Sequence, residues 1–235
     1  MKFFLDALPW GLIAAVVAYL LGSFNSAIVF TSLIAKKDIR DSGSGNAGAT
    51  NVLRSQGKRM ALLTTIGDLA KAIISVFFGQ YIMKFASLRD MTNINYPLIG
   101  AYLAGIFCII GHLYPLYFKF KGGKGVMTAL GLMLVLDWRV ALICLSLFIL
   151  VVFFSKMVSL GSIAAATSLP IFTFIFKWFV DNITAFDALF CTAMTAIFAA
   201  LLILKHRDNI KRIIAGTENK IGGSKDKEGV SNEKK

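Results

Sequence analysis

The stretch WGLIAAVVAYLLGSFNSAIVFTSLIA, residues 10–35, carries no charged side chain. A helix needs about 20 mostly apolar residues to cross the hydrocarbon core of a bilayer, so this stretch predicts a membrane span. A signal peptide fits less well, because Asp6 and Pro9 interrupt the approach. The apolar run is also longer than the 7–15 residues that are typical of such a leader.

Further apolar stretches repeat along the chain. Of the 235 residues, 57% are hydrophobic and only 16% are charged, which is too little charge to coat a soluble globule. The other predicted spans are 60–84, 97–118, 126–137, 139–154, 162–180 and 187–205. The fold class is therefore an all-α polytopic membrane protein with about seven transmembrane helices. The segment 126–137 is short and could be tilted, buried or only partly spanning.

The distribution of Lys and Arg predicts the orientation. Eighteen of the 25 lie in segments that alternate spans would place on one side, namely 36–59, 119–125, 155–161 and 206–235. Cytoplasmic loops carry such an excess, so we expect the N-terminus outside and the C-terminus in the cytoplasm. Residues 1–222 form one predicted integral-membrane domain, and 223–235 a polar, disordered cytoplasmic tail. The net charge of +12 suits anionic lipid, and we expect no nucleic-acid partner.

Two glycine-rich motifs resemble nucleotide-binding loops without their context. Gly43-x-Gly45-x-x-Gly48 matches the dinucleotide fingerprint but follows a membrane helix instead of a strand. The segment Gly122-Gly123-Lys124-Gly125 lacks the Ser or Thr that follows the lysine of a P-loop. The three cysteines have no metal-like spacing, and no acidic cluster suits magnesium or zinc. We expect neither a metal nor a cofactor.

The glycine loops instead predict phosphate binding. Glycines let backbone N–H groups approach an anion, and the N-terminus of a helix beginning near Val126 would face Lys124. His112, just before the helix-stopping Pro115, is a candidate acid, base or orienting group. In the first loop, Ser44 offers a hydroxyl and Arg54 a charge one helical turn beyond. Either loop could also be a plain connector, the second a basic turn that obeys the positive-inside rule.

Two further segments are candidates. Ser159-Leu160-Gly161-Ser162 is predicted as a polar turn at a helix start. Helical spacing places His206, Asn209 and Arg212 on one side of the segment after the last span, although a basic interfacial helix end would look the same. Asp68 and Lys71, at i and i+3 within the second span, can pair with each other and are interpreted as an internal structural pair.

Together these motifs resemble one family, the bacterial membrane acyl-phosphate:glycerol-3-phosphate 1-acyltransferases. The matching stretches are SGSGNAGATNVLR (42–54), GHLYP (111–115), FKGGKGVMTALG (120–131), VSLGSIAA (158–165), HRDNIKRIIAGTENKIG (206–222), DLAK (68–71) and GSFNSA (22–27). Ala47 departs from the family, in which many members have Pro. Asn25-Ser26 also departs from the family, because many members have Pro at this point of the GSFNSA motif. Neither departure removes a polar group from the site.

The resemblance implies transfer of a fatty acyl group from acyl phosphate to the 1-hydroxyl of sn-glycerol 3-phosphate. The products would be lysophosphatidate and phosphate, in phospholipid biosynthesis. The enzyme would be a multi-pass protein of the bacterial cytoplasmic (inner) membrane with its site on the cytoplasmic face. A soluble enzyme that forms acyl phosphate is an expected functional neighbour. The implied phosphate-binding residues are Arg54, Gly122, Gly123, Lys124, Gly125, Ser162, His206 and Asn209.

An acyl phosphate is an activated mixed anhydride, so no nucleophilic Ser or Cys is obligatory. We expect Ser44 and His112 to act as catalytic groups that orient the reacting hydroxyl or carbonyl. The hydroxyl proton could go to His112 or to a substrate phosphate. A membrane carrier for an organic phosphate ester would need similar basic pockets and is the alternative function. Carriers, however, usually bind near the bilayer midplane with repeat symmetry, and the motifs here gather at one face.

Overall fold

The computed structural model describes residues 2–87 and 94–222, and every regular element in these two ranges is a helix. The α-helices are α1 (Lys2–Ser23), α2 (Ser26–Ile34), α3 (Ala49–Ser87), α4 (Tyr96–Leu113), α5 (Val126–Leu136), α6 (Trp138–Ser155), α7 (Val158–Ile175), α8 (Ala185–Lys205) and α9 (Arg207–Ile214). The predicted all-α membrane fold is confirmed. The predicted tail, 223–235, lies outside the described residues.

Within the two described ranges, six helical segments are long and apolar enough to cross a membrane: Asp6–Ile34, Ala49–Ala86, Tyr96–Phe118, Trp138–Ser155, Val158–Val180 and Ala185–Lys205. The short predicted span 126–137 corresponds to α5, which has 11 residues. At 1.5 Å per residue it is about 16 Å long, roughly half of the hydrocarbon core. Seven crossings and the orientation of the termini therefore stay predictions.

The first predicted span is two helices instead of one. Polar Asn25 ends the continuity, because its side-chain oxygen accepts a hydrogen bond from the N–H of Ile28 at 3.1 Å and so caps α2. The break exposes the carbonyls of Gly22 and Phe24 to the side chain of Lys71 in α3, at 3.2 and 2.9 Å. A charged donor thus replaces the missing helical hydrogen bonds inside the bundle.

Close helix packing positions the site. Helices α1, α3 and α4 pack on one another, and α6, α7 and α8 form a second group joined to them through α5 and α4. A Cβ on Gly79 of α3 would meet the carbonyl oxygen of Gly100 in α4, and the reverse also holds. Small residues at such a contact let two membrane helices approach backbone to backbone.

An ionic cluster joins the helix ends remote from the glycine loops. Asp137, between α5 and α6, caps α6 and pairs with Arg139 at 2.8 Å and Lys177 at 2.9 Å. Both cations also pair with Asp181, each at 2.8 Å. Hydrogen bonds from Arg139 hold the pKa of Asp181 low, at about 2, so the cluster stays ionised at neutral pH. It ties the end of α5 to the α7–α8 turn.

Candidate active site

One cavity of about 360 Å³ collects the predicted site residues. All ten line it: Ser44, Arg54, His112, Gly122, Gly123, Lys124, Gly125, Ser162, His206 and Asn209. They come from five separate parts of the chain, namely the α2–α3 loop, α3, the end of α4 with the following loop, α7, and the α8–α9 junction. The structure therefore brings together in one cavity the site residues that were predicted from separate segments of the sequence.

Asn51, on the first turn of α3, organises the first loop. Its side-chain oxygen accepts a hydrogen bond from the N–H of Ser44 at 2.9 Å. Its amide nitrogen donates to the carbonyls of Ile39 and Ser42 at 3.1 and 2.9 Å. Asn51 is buried, so three main-chain groups of the loop are held by one rigid side chain. The loop is consequently ordered around the cavity, with the Ser44 side chain at its exposed edge.

The second loop packs its glycines against the first loop and against α4. The N–H of Gly123 donates to the carbonyl of His112 at 3.2 Å. A Cβ on Gly122 would meet that same carbonyl, and a Cβ on Gly123 would meet the carbonyl of Ala47 and Nε2 of His112. Gly125 has φ +81° and precedes α5, which begins at Val126 as predicted. Here glycine is needed for close approach as much as for the reach of N–H groups to an anion.

Glu218 is the hub of the basic side of the cavity. Lys124 Nζ donates to the side-chain oxygen of Asn209, and the amide of Asn209 donates to Glu218 at 2.7 Å. Arg212 and Ser159 also donate to Glu218, at 2.8 and 2.9 Å. Burial disfavours the ionised carboxylate, but these hydrogen bonds outweigh it and keep the pKa of Glu218 below its ordinary value. The segment after α9 is thereby fastened to α7.

Two basic groups in the cavity are partly desolvated. Burial lowers the pKa of Lys124 from 10.5 to about 8, with Glu218 opposing the shift. Burial also lowers the pKa of His206, whose Nδ1–H donates to the carbonyl of Leu202 at 2.8 Å. A phosphate bound in the cavity would favour the charged forms of both groups. Arg54 and Arg212 also line the cavity.

His112 is joined to the pair of ionisable residues within α3. Lys71 Nζ lies 2.8 Å from Nδ1 of His112 and 2.9 Å from a carboxylate oxygen of Asp68. All three side chains are at most 4% exposed, and Asp68 lines the cavity with His112. The predicted pairing of Asp68 with Lys71 is confirmed. The contact of this pair with His112 joins residues 41 positions apart in the chain and was not predicted.

A narrow apolar cleft adjoins the polar cavity and is lined mainly by α5, α6 and α7. Its lining includes Met133, Cys144, Phe148 and Leu169. The cleft and the cavity share four residues, Val126, Met127, Phe148 and Ser162. A molecule whose anionic head lies in the cavity could therefore place the beginning of a hydrocarbon tail along the cleft.

Some expectations about local structure need correction. Ser159 and Ser162 lie within the first two turns of α7, which begins at Val158, instead of forming a turn before it. Helix α3 begins at Ala49, so Arg54 is helical, as expected if a helix follows the loop. Glu218 is not among the site residues predicted from the sequence. Its hydrogen bonds to three separate side chains could not be found from spacing, because the intervening chain turns back after α9.

Known proteins that resemble this chain identify its family. The family model described as glycerol-3-phosphate acyltransferase matches residues 12–216. Glycerol-3-phosphate acyltransferase of Clostridioides difficile (strain 630) is 41% identical over 215 residues, which cover 92% of this chain and 97% of the relative. That of Syntrophotalea carbinolica is 41% identical over 208 residues, covering 88% and 96%.

Two solved structures are similar in fold. Both are crystal structures of PlsY (YgiH), described as an integral membrane glycerol 3-phosphate acyltransferase, in its glycerol 3-phosphate and lysophosphatidic acid forms. The first has a TM-score of 0.73 and 33% identity, and covers 90% of this chain and 96% of its own. The second has a TM-score of 0.72 and 32% identity. The chain therefore belongs to the glycerol-3-phosphate acyltransferase family of integral membrane acyltransferases.

Proposed function

We propose that the protein transfers a fatty acyl group from acyl phosphate to the 1-hydroxyl of sn-glycerol 3-phosphate, in phospholipid biosynthesis. The observation that carries the proposal is the junction at Ser162 between the basic cavity and the apolar cleft. Lysophosphatidate has the same division into a phosphate head and a hydrocarbon tail. The crystallised relative, in its glycerol 3-phosphate and lysophosphatidic acid forms, supports the same assignment.

The cavity residues divide into phosphate-binding and orienting groups. Arg54, Lys124, Ser162 and His206 hold the phosphates of the two substrates, together with the main-chain N–H groups of Gly122 and Gly125. Gly123 contributes through its close packing, because its N–H already donates to the carbonyl of His112. Asn209 contributes mainly by holding Lys124, because both ends of its amide already bond to protein. Ser44 and His112 orient the reacting hydroxyl and carbonyl. Such preorganised groups supply catalysis without a covalent enzyme intermediate.

The reaction needs no redox partner. The glycerol hydroxyl oxygen attacks the acyl carbon, the new ester C–O bond forms, and the C–O bond to the phosphate breaks. The electron pair of that bond leaves with inorganic phosphate, which finally carries the hydroxyl proton. Oxyanion stabilisation at the acyl carbonyl is the contribution that the cavity can make to the barrier. Acyl phosphate would come from a soluble enzyme that forms it.

The donor is tested with purified protein in detergent. Glycerol 3-phosphate is supplied with palmitoyl phosphate, palmitoyl-CoA or palmitoyl-acyl carrier protein in separate reactions, and lysophosphatidate is measured. We expect product from acyl phosphate alone. Product from a thioester only would contradict the proposed donor while leaving the acyltransferase class. A folded protein that forms no product but accumulates glycerol 3-phosphate in liposomes would instead be a carrier.

The lowered pKa of Lys124 predicts how the activity depends on pH. If the ammonium binds phosphate, kcat/KM for glycerol 3-phosphate should fall about tenfold per pH unit above pH 8, because the free enzyme then loses the charge. The substrate phosphate is fully ionised throughout this range, since its second pKa is about 6. Lys124→Arg should remove the decline, because a guanidinium stays charged. An identical decline in the arginine variant would assign it to another group.

We also propose the cytoplasmic face of the bacterial inner membrane as the location of the site, with seven crossings, the N-terminus outside and the C-terminus in the cytoplasm. Four loop and tail segments meet around the cavity. Arg40 donates a hydrogen bond to the carbonyl oxygen of Phe118 at 3.0 Å, and the N–H of Ile221 donates to the carbonyl oxygen of Lys156 at 2.8 Å. These segments carry most of the Lys and Arg, which favours the cytoplasm.

Thiol labelling tests this topology. Ser44→Cys and Ala185→Cys place exposed thiols at the cavity and at the start of α8. The three native cysteines are buried and serve as an internal background. An impermeant reagent should label Ala185→Cys in intact cells and Ser44→Cys only in inside-out vesicles. The reverse pattern would invert the orientation, and labelling of both from one side would rule out an odd number of helices between them.

A further inference from the structure

Lys71 is a densely bonded buried cation next to the cavity. Its ammonium has four neighbours within 3.2 Å: the carbonyl oxygens of Gly22 and Phe24, Nδ1 of His112 and Oδ1 of Asp68. Three of these contacts are hydrogen bonds in geometry. The contact with Asp68 is a close ion pair outside hydrogen-bond geometry. The side chains of Lys71 and His112 are only 4% and 3% exposed.

Counting hydrogens then assigns the tautomer of His112. An ammonium has three N–H donors and no acceptor, and carbonyl oxygens only accept. The three donors therefore go to the two carbonyls and to Nδ1 of His112, which has to offer its lone pair. Nδ1 lies 3.6 Å from the Asp68 carboxylate, too far to donate a hydrogen bond to it. The ring proton is consequently on Nε2.

The charge balance supports the same assignment. Asp68 and Lys71 compensate each other in a buried setting, so a second proton on His112 would add a cation with no partner of its own. That ring would also turn an N–H towards the ammonium of Lys71. Nε2 is the far nitrogen of the ring and lies against Gly123 in the cavity wall.

We propose that Lys71 is a positioning residue that holds His112 in its Nε2–H form, so that His112 donates a hydrogen bond to the acyl carbonyl oxygen and does not remove the hydroxyl proton. The role of Nε2–H rests on the proposed acyl transfer, whereas the tautomer does not. Lys71 also donates hydrogen bonds to the carbonyls of Gly22 and Phe24 at the break between α1 and α2. One side chain thereby fixes the ring on α4 relative to the turn that precedes α2.

The tautomer can be measured without turnover. The chain has two histidines, and they are expected in opposite forms, because His206 donates through Nδ1 to a carbonyl. Protein labelled with ¹⁵N-histidine should therefore show one ring protonated at Nε2 and one at Nδ1 near neutral pH. His112→Gln identifies the signals of His112 by their loss. A ring at 112 that is protonated at Nδ1, or a mixture of both forms, would overturn the proposal.

Lys71→Met provides the second arm of this measurement. Loss of the ammonium should convert His112 into a mixture of tautomers, while the signals of His206 stay unchanged. Because Asp68 would lose its countercharge, the Asp68→Asn/Lys71→Met double variant repeats the test in a neutral setting. An unchanged single tautomer of His112 in the folded double variant would show that Lys71 does not set it.

Turnover separates donation from proton removal. The side-chain N–H of His112→Gln can reach the position of Nε2–H but is not a base, whereas His112→Leu has neither ability. We expect kcat of the glutamine variant within about tenfold of the wild type and that of the leucine variant about 100-fold lower or more, the usual effect of losing an oxyanion donor. KM for glycerol 3-phosphate should change little in either. Equal losses in both variants would contradict the donor role.

The tautomer measurement and the turnover assay test the Lys71–His112 relation and the proposed acyl transfer independently. A wild-type protein that forms no lysophosphatidate but shows the expected tautomers would contradict the proposed function and leave the Lys71–His112 relation intact. An active protein whose His112 is protonated at Nδ1 would support the proposed acyl transfer and contradict the role of Lys71.

Discussion

Lys124→Ala is expected to lower kcat/KM for glycerol 3-phosphate by two to three orders of magnitude. A charge-assisted hydrogen bond to phosphate contributes about 1.5–3 kcal/mol, and loss of a transition-state contact in a water-poor site can cost about 10²- to 10³-fold. The ammonium is well placed for this role, since it lines the cavity and is held by Asn209. The assay is the initial rate of lysophosphatidate formation at several substrate concentrations.

Folding should survive this substitution. Glu218 keeps its hydrogen bonds from Asn209, Arg212 and Ser159 when Lys124 is removed, so the segment after α9 stays attached to α7. The thermal midpoint in detergent and the gel-filtration profile should match those of the wild type. A variant with wild-type stability and more than about a third of the wild-type kcat/KM would remove Lys124 from the proposed mechanism, because that ratio is below 1 kcal/mol.

Lys121→Ala is the matched control. Lys121 belongs to the same loop and has the same charge, but its side chain is exposed. Its hydrogen bonds are made by the main chain: the carbonyl accepts from Arg40, and the N–H donates to the carbonyl of Phe118. Exposed substitutions of this kind usually change free energies by less than about 0.5 kcal/mol, which is about twofold in rate. A large effect of Lys121→Ala would mean that loop charge in general, and not the bound ammonium, governs activity.

The sequence was most informative where a physical rule acts within a few residues. The apolar runs predict the helices, Pro115 predicts the end of α4, and the glycine after Lys124 predicts the start of α5. Membrane helices satisfy their own backbone hydrogen bonds, so hydropathy and length largely determine the fold class. The ten candidate residues were named as members of short motifs, and each motif contributes to the cavity wall.

The features that could not be predicted depend on contacts between distant segments. The break at Asn25 follows an apolar run without Pro, and its carbonyls are satisfied by Lys71, almost 50 residues away. Spacing within α3 could pair Lys71 with Asp68 but could not reveal the bond to His112 on another helix. Glu218 likewise meets Ser159 across 59 residues. Such contacts follow from how the helices pack, which periodicity along one helix does not encode.

Gly123→Ala is expected to disable the site from within the loop. A Cβ at this position would meet the carbonyl of Ala47 and Nε2 of His112. Neither neighbour can yield cheaply, because the first belongs to the loop that carries Ser44 and the second is held by Lys71. The two loops must therefore separate, and misplacing reacting groups by about 1 Å can cost about 100-fold in rate. We expect a loss of that size in kcat/KM, with the loss in kcat exceeding the change in KM.

The stability of the same variant distinguishes misplacement from unfolding. Overpacking costs about 1–3 kcal/mol, which in a chain of this length lowers the thermal midpoint by several degrees without preventing folding. Gly11→Ala, whose Cβ would lie 3.6 Å from Leu103 in ordinary contact, is the control and should keep full activity. If Gly123→Ala is as active as Gly11→Ala, the two loops can move apart without affecting catalysis. The close contact between the glycine loop, Ala47 and His112 would then have no part in positioning the substrates.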